Sequence, residues 1–459
     1  MKNDLDNIIN AQRNFFNAQE TKSIPYRIAA LKRLRSEIHK READIHKAVH
    51  QDFKKSEFES VLSETGIVEK ELNLLIKKLA SWSRPQRVKS SMLNFPSSDY
   101  IYKDPYGTVL IIAPWNYPFQ LAMVPLIGAI AAGNTAVVKP SELTPHTSSV
   151  IVEICNAVFE EEYVAVVEGG VEISTELLSK KWDYIFFTGS VFVGKIVAKA
   201  AAEHLTPVTL ELGGKNPCII DHSAKIKLAA KRLVWAKFLN GGQTCVAPDY
   251  ILVDNKIKAD FIKYYDLEIK NAYGENPKNS PDYPRIINKK NFERLEKMLV
   301  GEQIAVGGTT DASENYIAPT IIDQPAMDSE VMKDEIFGPI LPVLGYNNEQ
   351  EIDQIIRSYD KSLSLYVFST RKSFVKKILS TYSFGGGVIN DAIVYYANPN
   401  LPFGGVGNSG IGGYHGKQTF DTFTHNKAIS KRANWLDAPI RYAPYKGKLG
   451  QLRLFLKWF

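Results

Sequence analysis

Cysteine is scarce in this chain of 459 residues, which has only Cys155, Cys218 and Cys245. No two of them form a Cys-x-x-Cys pair, which argues against a disulfide scaffold or a zinc knuckle, and we expect no bound metal. Long apolar runs are missing too, so no stretch is predicted to span a bilayer. The charged residues 1–16 lack the apolar core of a signal peptide. These absences favour a cytoplasmic protein.

The net charge is +6, but lysine and arginine alternate with aspartate and glutamate through most of the chain. This pattern is typical of a solvated surface, and we therefore expect no nucleic-acid partner. A chain of this length exceeds what one hydrophobic core usually holds, so we expect two or three lobes.

Short apolar strands alternate with helices in the first half of the chain. They lie in the stretches GTVLIIAPWN (107–116), GNTAVVKPSE (133–142), VAVVEGG (164–170) and YIFFTGS (184–190). Strands that are apolar throughout indicate a parallel sheet covered by helices on both faces. The same rhythm returns from about Glu211 to about Phe384, which predicts a second lobe of the same kind. The predicted fold class is therefore α/β.

The segment FFTGSVFVGKI (186–196) has the Gly-x4-Gly-Lys spacing of a nucleotide-phosphate loop. Ile196 stands where such a loop needs the Ser or Thr that binds Mg²⁺, which counts against a P-loop NTPase or kinase. A helix that Ser190 can cap still offers free backbone N–H groups to an anion. A dinucleotide pyrophosphate needs no metal and fits better. The Gly-x-Gly-x-x-Gly of a Rossmann site is missing, however, and a turn without a ligand is the alternative.

Cys245 differs from the other two cysteines because it lies in NGGQTCVAP, between glycines and a proline. A thiolate there could attack a carbonyl carbon. The resulting oxyanion needs hydrogen-bond donors, and Asn116 could be one. Glu211 ends a strand before two glycines and could activate a water. Each residue also has a purely structural interpretation, and Cys155 and Cys218 are predicted to be inert core residues.

Seven motifs resemble those of the aldehyde dehydrogenase superfamily and follow its order over nearly the whole chain. They are PWNYP (114–118), KPSE (139–142), FTGS (187–190), ELGGKNP (211–217), GQTC (242–245), EIFGPILPV (335–343) and PFGGVGNSGIG (402–412). The short N-terminus and the stretches 205–218 and 414–425 look most like class 3, the fatty-aldehyde branch. The resemblance implies oxidation of an aldehyde to a carboxylic acid with NAD or NADP. Long-chain fatty aldehydes, or isoprenoid and polyene aldehydes, are the implied substrates.

The resemblance also implies a role for each catalytic residue. Cys245 would be the nucleophile, forming first a thiohemiacetal and then a thioester. Asn116 and the Cys245 backbone N–H would hold the oxyanion, and Glu211 would activate the water that releases the acid. Glu335 would bind the nicotinamide ribose, and Phe337 would pack near the nicotinamide ring.

The remaining cofactor contacts are implied in the same way. Lys139 would bind the adenosine ribose, with Glu142 near it. Gly189 and Ser190 would face the pyrophosphate at the start of the helix. These residues do not decide between NAD and NADP.

The implied fold has a Rossmann-like cofactor domain, an α/β catalytic domain and a small β-bridge used for dimerisation, so we expect a homodimer. The implied segments are 1–82 and 102–209 for the NAD(P)-binding domain, 210–388 for the catalytic domain, 83–101 and 389–430 for the bridge, and 431–459 for a C-terminal tail.

Two positions depart from the family pattern. Tyr395 stands where members often have His, which affects the expected polarity of the substrate pocket. Gly241 stands where members often have Cys, which leaves Cys245 as the one cysteine of its loop. A CoA-acylating aldehyde dehydrogenase and a non-catalytic cofactor-binding protein are the alternative functions, and Glu211 argues against the first.

The C-terminal stretch YKGKLGQLRLFLKWF (445–459) mixes lysine and arginine with leucine and aromatic residues. Such a segment can lie in a membrane interface, which would make the cytoplasmic protein a peripheral membrane protein anchored by its C-terminal tail. Packing of the tail on the protein's own surface or on a partner subunit is the other interpretation.

Overall fold

The computed structural model describes residues 5–457. Its strands are β1 (Gln86–Val88), β2 (Ser97–Pro105), β3 (Thr108–Ile112), β4 (Thr135–Lys139), β5 (Val164–Val166), β6 (Tyr184–Thr188), β7 (Val208–Glu211), β8 (Pro217–Ile220), β9 (Tyr250–Asp254), β10 (Ile304–Val306), β11 (Thr310–Asp311), β12 (Tyr316–Ile317), β13 (Thr320–Asp323), β14 (Ile340–Tyr346), β15 (Ser364–Phe368), β16 (Gly386–Ile389), β17 (Gly410–Ile411) and β18 (Thr424–Arg432). Its α-helices are α1 (Leu5–Asn17), α2 (Ile24–Lys40), α3 (Glu42–Phe53), α4 (Glu57–Ser60), α5 (Gly66–Trp82), α6 (Gln120–Ala132), α7 (Pro145–Val158), α8 (Val171–Leu178), α9 (Val191–Ala202), α10 (Ile226–Phe238), α11 (Lys258–Tyr273), α12 (Lys289–Lys297), α13 (Glu330–Lys333), α14 (Glu349–Arg357), α15 (Lys372–Thr381), α16 (Lys417–Thr422) and α17 (Leu449–Leu456).

The first sheet has the strand order β17-β7-β6-β3-β4-β5. Its strands from β7 to β5 are parallel, and β17 is antiparallel to β7 at the edge. Alternate residues of one strand face different helical layers: Leu110 and Ile112 pack in the core with α1 and α9, while Val109 and Ile111 pack with α2, α5 and α6. Because both faces are covered, every residue of β3 is buried. The predicted parallel sheet between two helical layers is confirmed.

The second sheet has the order β10-β13-β14-β9-β8-β15-β16, with β10 antiparallel at one edge. It confirms the second α/β lobe. The chain passes from the first sheet to the second between Glu211, the end of β7, and Pro217, the start of β8. Residues 212–216 connect the two sheets here, and we call this segment the crossover. The 210–388 segment predicted for the catalytic domain therefore begins on the last two residues of a strand of the first sheet.

A third, small sheet joins β1, β2 and β18 in antiparallel fashion. Residues 83–101 and 389–430 were the segments expected to form a bridge, whereas β2 runs on to Pro105 and β18 to Arg432. β18 pairs with β2 over nine residues and is an edge strand of this sheet, with most of its side chains exposed. How the three sheets divide into domains stays a prediction.

The C-terminal tail ends in the short helix α17. Leu449 is 57% exposed and Leu454 is 64% exposed, so these side chains do not pack into the body of the protein. No helix within residues 5–457 is long and apolar enough to cross a membrane. Trp458 and Phe459, which were included in the predicted interfacial stretch, lie outside the described residues.

Parallel strands place their carboxyl ends at one edge of a sheet, which is where ligands of such folds bind. At this edge of the first sheet, β3 leads into the turn that carries Asn116, β6 into Gly189, and β7 ends at Glu211. The fold therefore brings together residues that are separated by almost a hundred positions in the sequence.

Candidate active site

A cavity of about 760 Å³ lies between the carboxyl edge of the first sheet and the loops of the second. Seven of the nine predicted site residues line it: Asn116, Gly189, Ser190, Glu211, Cys245, Glu335 and Phe337. Lys139 and Glu142 are not among the lining residues. They lie one strand further along the same edge, where Lys139 ends β4 and its Nζ is 2.5 Å from Glu142 Oε2.

The loop that carries Cys245 is folded by three consecutive residues in the left-handed region, Asn240 (φ 56°), Gly241 (φ 62°) and Gly242 (φ 75°). A Cβ on Gly242 would lie 2.3 Å from the carbonyl oxygen of Gly338, so only glycine fits there. Gly241 has more space around it, and its conformation is what favours glycine. The helix α10 therefore ends in a tight reversal that turns Cys245 into the cavity.

Asn216 in the crossover fixes the far end of this loop. Its amide nitrogen donates to the carbonyl oxygens of Cys245 (2.7 Å) and Ala247 (3.0 Å), and its amide oxygen accepts from the backbone N–H of Ser364 (2.8 Å). Asn216 is buried, so these bonds are shielded from water. The adjacent Lys215 donates to Asp249 at 2.5 Å, so the crossover is tied to the second sheet at two successive residues.

The buried amide of Asn116 is directed at the loop that carries Cys245. Its nitrogen donates to the carbonyl oxygen of Gln243 at 3.1 Å, and its backbone oxygen accepts from the side chain of Asn240 at 2.7 Å. An amide nitrogen carries two N–H groups. One is engaged by Gln243, which leaves the other to donate to an oxygen in the cavity. The next residue, Tyr117, bonds the hydroxyl of Thr244 at 2.6 Å and further steadies this side of the loop.

Two carboxyl groups share the cavity with Cys245. Both side-chain oxygens of Glu211 are buried without a hydrogen-bond partner in the described part of the chain, and burial raises its pKa well above the usual value. Burial, together with the charge of Asp249, raises the pKa of Glu335 to about 8. Burial, followed by the charges of Glu335 and Glu211, raises the pKa of the Cys245 thiol to about 12. The thiol is therefore protonated at neutral pH until a base removes its proton.

The cofactor-side residues have the features that a dinucleotide needs. Ser190 caps α9 by accepting from the backbone N–H of Val193, and the free N–H groups of that helix end can meet an anion. The Glu335 carboxyl group packs on Gly213, where a Cβ would lie 2.0 Å from its Oε2. Glu335 Oε1 is buried and unpartnered among the described residues, so it can accept a bond from a ribose hydroxyl. Phe337 meets the ring of Trp115 edge-on at 5.3 Å. These residues fit NAD or NADP.

The sequence did not single out the aromatic part of the cavity wall. Trp115, Tyr117, Tyr396 and Tyr414 line it. The hydroxyls of Tyr396 and Tyr414 are buried and have no hydrogen-bond partner in residues 5–457. These residues lie within or beside the stretches PWNYP (114–118), NDAIVYY (390–396) and YHGKQ (414–418). The direction in which a tyrosine hydroxyl points depends on the tertiary structure and cannot be inferred from the sequence.

Tyr395 does not define the polarity of the pocket, although the sequence had placed it there. Its hydroxyl bonds Ser364 at 2.8 Å, and its ring stacks on Phe403 at 5.9 Å. It is absent from the cavity lining, to which the neighbouring Tyr396 belongs. Tyr395 therefore packs behind the cavity wall.

Comparison with known proteins agrees with this geometry. A family model described as the aldehyde dehydrogenase family matches residues 1–429. This chain belongs to that family. It is 48% identical to a 4,4'-diaponeurosporen-aldehyde dehydrogenase of Staphylococcus aureus, over 96% of this chain and 97% of that one. It is 41% identical to a dimeric, NADP-preferring aldehyde dehydrogenase of Canis lupus familiaris, over 97% and 99% of the two chains.

A solved structure of the substrate-bound state of Staphylococcus aureus AldH superposes on this chain with a TM-score of 0.97 and 47% identity, covering 99% of this chain and 100% of that one. The fold is thus the aldehyde dehydrogenase fold, and the protein is an NAD(P)-dependent aldehyde dehydrogenase, an oxidoreductase of the EC 1.2.1 type.

The charges around the thiol predict how fast Cys245 is alkylated. Replacing Glu335 by Gln should speed alkylation by iodoacetamide several-fold at pH 9, because wild-type Glu335 is ionised above about pH 8 and its charge raises the pKa of the thiol. At pH 6.5 the two proteins should differ little, because Glu335 is then protonated. The measurement is the rate of mass increase in protein without cofactor.

Cys245→Ala provides the control for this labelling, because Cys155 and Cys218 are fully buried and should not react. Equal rates at pH 9 for wild type and Glu335→Gln would contradict the electrostatic account.

Proposed function

We propose that Cys245, Asn116 and Glu211 carry out the oxidation, and that the physiological substrate is a long, apolar aldehyde. The observation that supports these roles most strongly is that one cavity holds a cysteine and a buried carboxyl group with no hydrogen-bond partner among residues 5–457, while a buried amide is directed at the cysteine's loop. A buried carboxyl group of raised pKa can take up and release a proton near neutral pH.

The proposed reaction begins when the Cys245 sulfur, having lost its proton, bonds to the aldehyde carbon. The free N–H of Asn116 and the Cys245 backbone N–H hold the negative oxygen of the thiohemiacetal. NAD or NADP, when held by Glu335, Phe337, Gly189 and Ser190, would supply the hydride acceptor that converts the thiohemiacetal to a thioester. Glu211 then takes a proton from the water that attacks the thioester, and the carboxylic acid leaves as the thiol is restored.

The two alternative functions are less well supported. A CoA-acylating enzyme passes the acyl group to a thiol and has no need of a base for water, whereas Glu211 is present here and faces the cavity. A non-catalytic protein would not require a cysteine, a carboxyl group and an amide to converge on one space.

A long, apolar substrate is supported by the side chains at the cavity wall. Leu62, Ile67, Leu121, Val394 and Phe403 line it together with Trp115. Apolar walls favour an apolar ligand because both leave water on binding. A relative that is 48% identical is named for a polyene aldehyde, diaponeurosporenal, which gives this substrate class weight beside the fatty aldehydes.

We also propose a cytoplasmic homodimer whose tail contacts a membrane or a partner subunit. The open edge of β18 offers a surface for a second copy, and a 41% identical relative is described as dimeric. The exposed leucines of α17, with Arg453 and Lys457 beside them, are suited to an interface. Lys139 and Glu142 are proposed to meet the adenosine ribose, and Gly189 and Ser190 the pyrophosphate.

Asn116→Ala should lower kcat by roughly 10²–10³-fold, the usual effect of losing one oxyanion donor. The measurement is steady-state oxidation of a saturating aldehyde. A loss of less than about threefold would mean that this amide does not face the oxyanion.

Glu211→Gln should slow release of the acid more than formation of the thioester, because a thioester persists until water is activated. Mass spectrometry after mixing with aldehyde and NAD⁺ should show the acyl adduct on the peptide that contains Cys245, alongside a burst of NADH. A slow first turnover without an adduct would refute this role for Glu211.

Deletion of residues 446–459 should weaken binding to liposomes and raise KM for a long aldehyde more than for a short one. We propose that the tail borders the substrate entrance, where its exposed leucines would contact the apolar part of a long aldehyde and would not reach a short one. Equal changes in KM for both aldehydes, with no liposome binding by the intact protein, would show that the tail acts neither at a membrane nor at the entrance of the substrate cavity.

A further inference from the structure

One segment of the N-terminal region contacts both the cavity and the loop that leads to Cys245. It comprises α4 and the π-helical turn Val61–Thr65 that continues it. Leu62 and Ser63 of this turn line the cavity. Glu59 and Glu64, in contrast, are buried. π-helical turns are rare and often occur at functional sites.

Both carboxyl groups bind backbone N–H groups of the catalytic loops. Glu64 accepts from the N–H of Gln120 at 2.9 Å, at the start of α6, and from Lys55 at 2.8 Å. Glu59 accepts from the N–H of Asn240 at 2.6 Å. The second contact is the more informative one, because Asn240 is the first left-handed residue of the turn that leads to Cys245.

A short chain of hydrogen bonds connects Glu59 to the amide of Asn116. The Asn240 side chain donates to the carbonyl oxygens of Asn116 (2.7 Å) and Gln243 (3.1 Å). The same Gln243 oxygen accepts from the Asn116 side chain at 3.1 Å. Asn240 and Asn116 are both buried. A displacement of the Asn240 backbone would therefore displace the side-chain amide that faces the substrate oxygen.

The position of Asn240 requires an external support. A left-handed conformation is unfavourable for a residue other than glycine and persists only where the surroundings hold it. A buried N–H without an acceptor would add a further cost. Glu59, from a segment about 180 positions away, supplies the acceptor. An ionised carboxylate is a stronger acceptor than a neutral one, so the bond tightens when Glu59 loses its proton.

The charged and titratable groups that act on Glu59 come from several elements. Burial raises its pKa to about 7, Lys55 and the Asn240 N–H lower it, and Glu64 and Asp282 raise it. The hydroxyls of Tyr117 and Tyr273 also feel its charge, and the pKa of each lies above the usual value, mainly because they are buried.

We propose that Glu59 is a positioning residue for aldehyde oxidation: its carboxylate holds the Asn240 turn and, through it, the amide of Asn116. This inference rests on the proposed oxyanion role of Asn116. Ionised Glu59 holds the amide more firmly than protonated Glu59 does, so the effect on the rate depends on pH.

The first test compares Glu59→Ala, Glu59→Gln and Glu57→Ala. Glu57 is on the same short helix but has an exposed side chain, so its variant controls for disturbance of α4. Glu59→Ala should lower kcat roughly tenfold or more, since small displacements of a reacting group have large effects on rate, while KM for the aldehyde changes by less than about threefold. Glu57→Ala should match wild type. A Glu59→Ala enzyme with unchanged kcat would overturn the proposal.

The second test uses Glu59→Gln, which keeps an acceptor oxygen but has no charge at any pH. The ratio of wild-type kcat to Glu59→Gln kcat should be close to one at pH 6 and should rise several-fold by pH 8. Taking the ratio removes the titrations of Cys245, Glu211 and Glu335, which both proteins share. A ratio that stays constant over this range would contradict the role of the charge, and it remains informative if Glu59→Ala fails to fold.

The third test is a double-mutant cycle. If Glu59 acts through Asn116, Glu59→Ala should lower kcat much less in an Asn116→Ala background than in wild type. Losses that multiply independently would refute the positioning role while leaving the oxyanion role intact. Asn116→Ala alone, if it had no effect, would instead remove the oxyanion role itself. Thermal unfolding of each variant separates loss of fold from loss of positioning.

Discussion

The hydrogen bonds of the Asn216 side chain hold the site together. This one buried amide bonds the carbonyl oxygen of Cys245, which lies in the glycine-rich loop, and the N–H of Ser364, which belongs to the second sheet. The chain reaches Asn216 five residues after Glu211, the last residue of a strand in the first sheet. Five residues can span only a short distance, so this crossover limits how far the two sheets, and with them Glu211 and Cys245, can separate.

Desolvation is the second common theme of the site. The same burial that raises the pKa of Glu211 and Glu335 also raises that of the Cys245 thiol. Glu335 and the Cys245 thiol are therefore largely protonated near neutral pH. A protonated thiol reacts slowly with electrophiles. The reactive thiolate forms only when a base accepts the proton of the thiol.

Much of this could be predicted from the sequence. Apolar strands separated by helices indicated the α/β class, and Ser190 was identified as a helix cap because the residue type and its place before α9 are local signals. Cys155 and Cys218 were correctly predicted to be core residues. The convergence of Asn116, Glu211 and Cys245 on one cavity followed from the position of each at the end of a strand or in a glycine-rich turn, and from family resemblance.

Other parts had no local signal. Tyr395 was assigned to the pocket by its place in a motif, yet a one-residue difference decides whether a side chain faces the cavity or the core behind it, and Tyr396 is the residue that faces inward. Glu59 resembles any acidic residue of a surface helix until the fold brings it to Asn240. The length of β18, which ends at Arg432, likewise depends on its pairing with β2, which is a tertiary property.

The open edge of β18 has a consequence for a newly made chain. An unpaired strand edge can template pairing with any other extended chain and so lead to aggregation. Lys427, Lys431 and Arg432 lie along this edge strand, with Lys427 paired to Asp104 and Arg432 to Asp437, and charged side chains on an edge oppose its pairing with an arbitrary strand. The nine-residue pairing with β2 thus leaves an edge that is long enough for a second strand to pair with, while its charged side chains oppose nonspecific association. A partner that covers it must match its shape and its charge together.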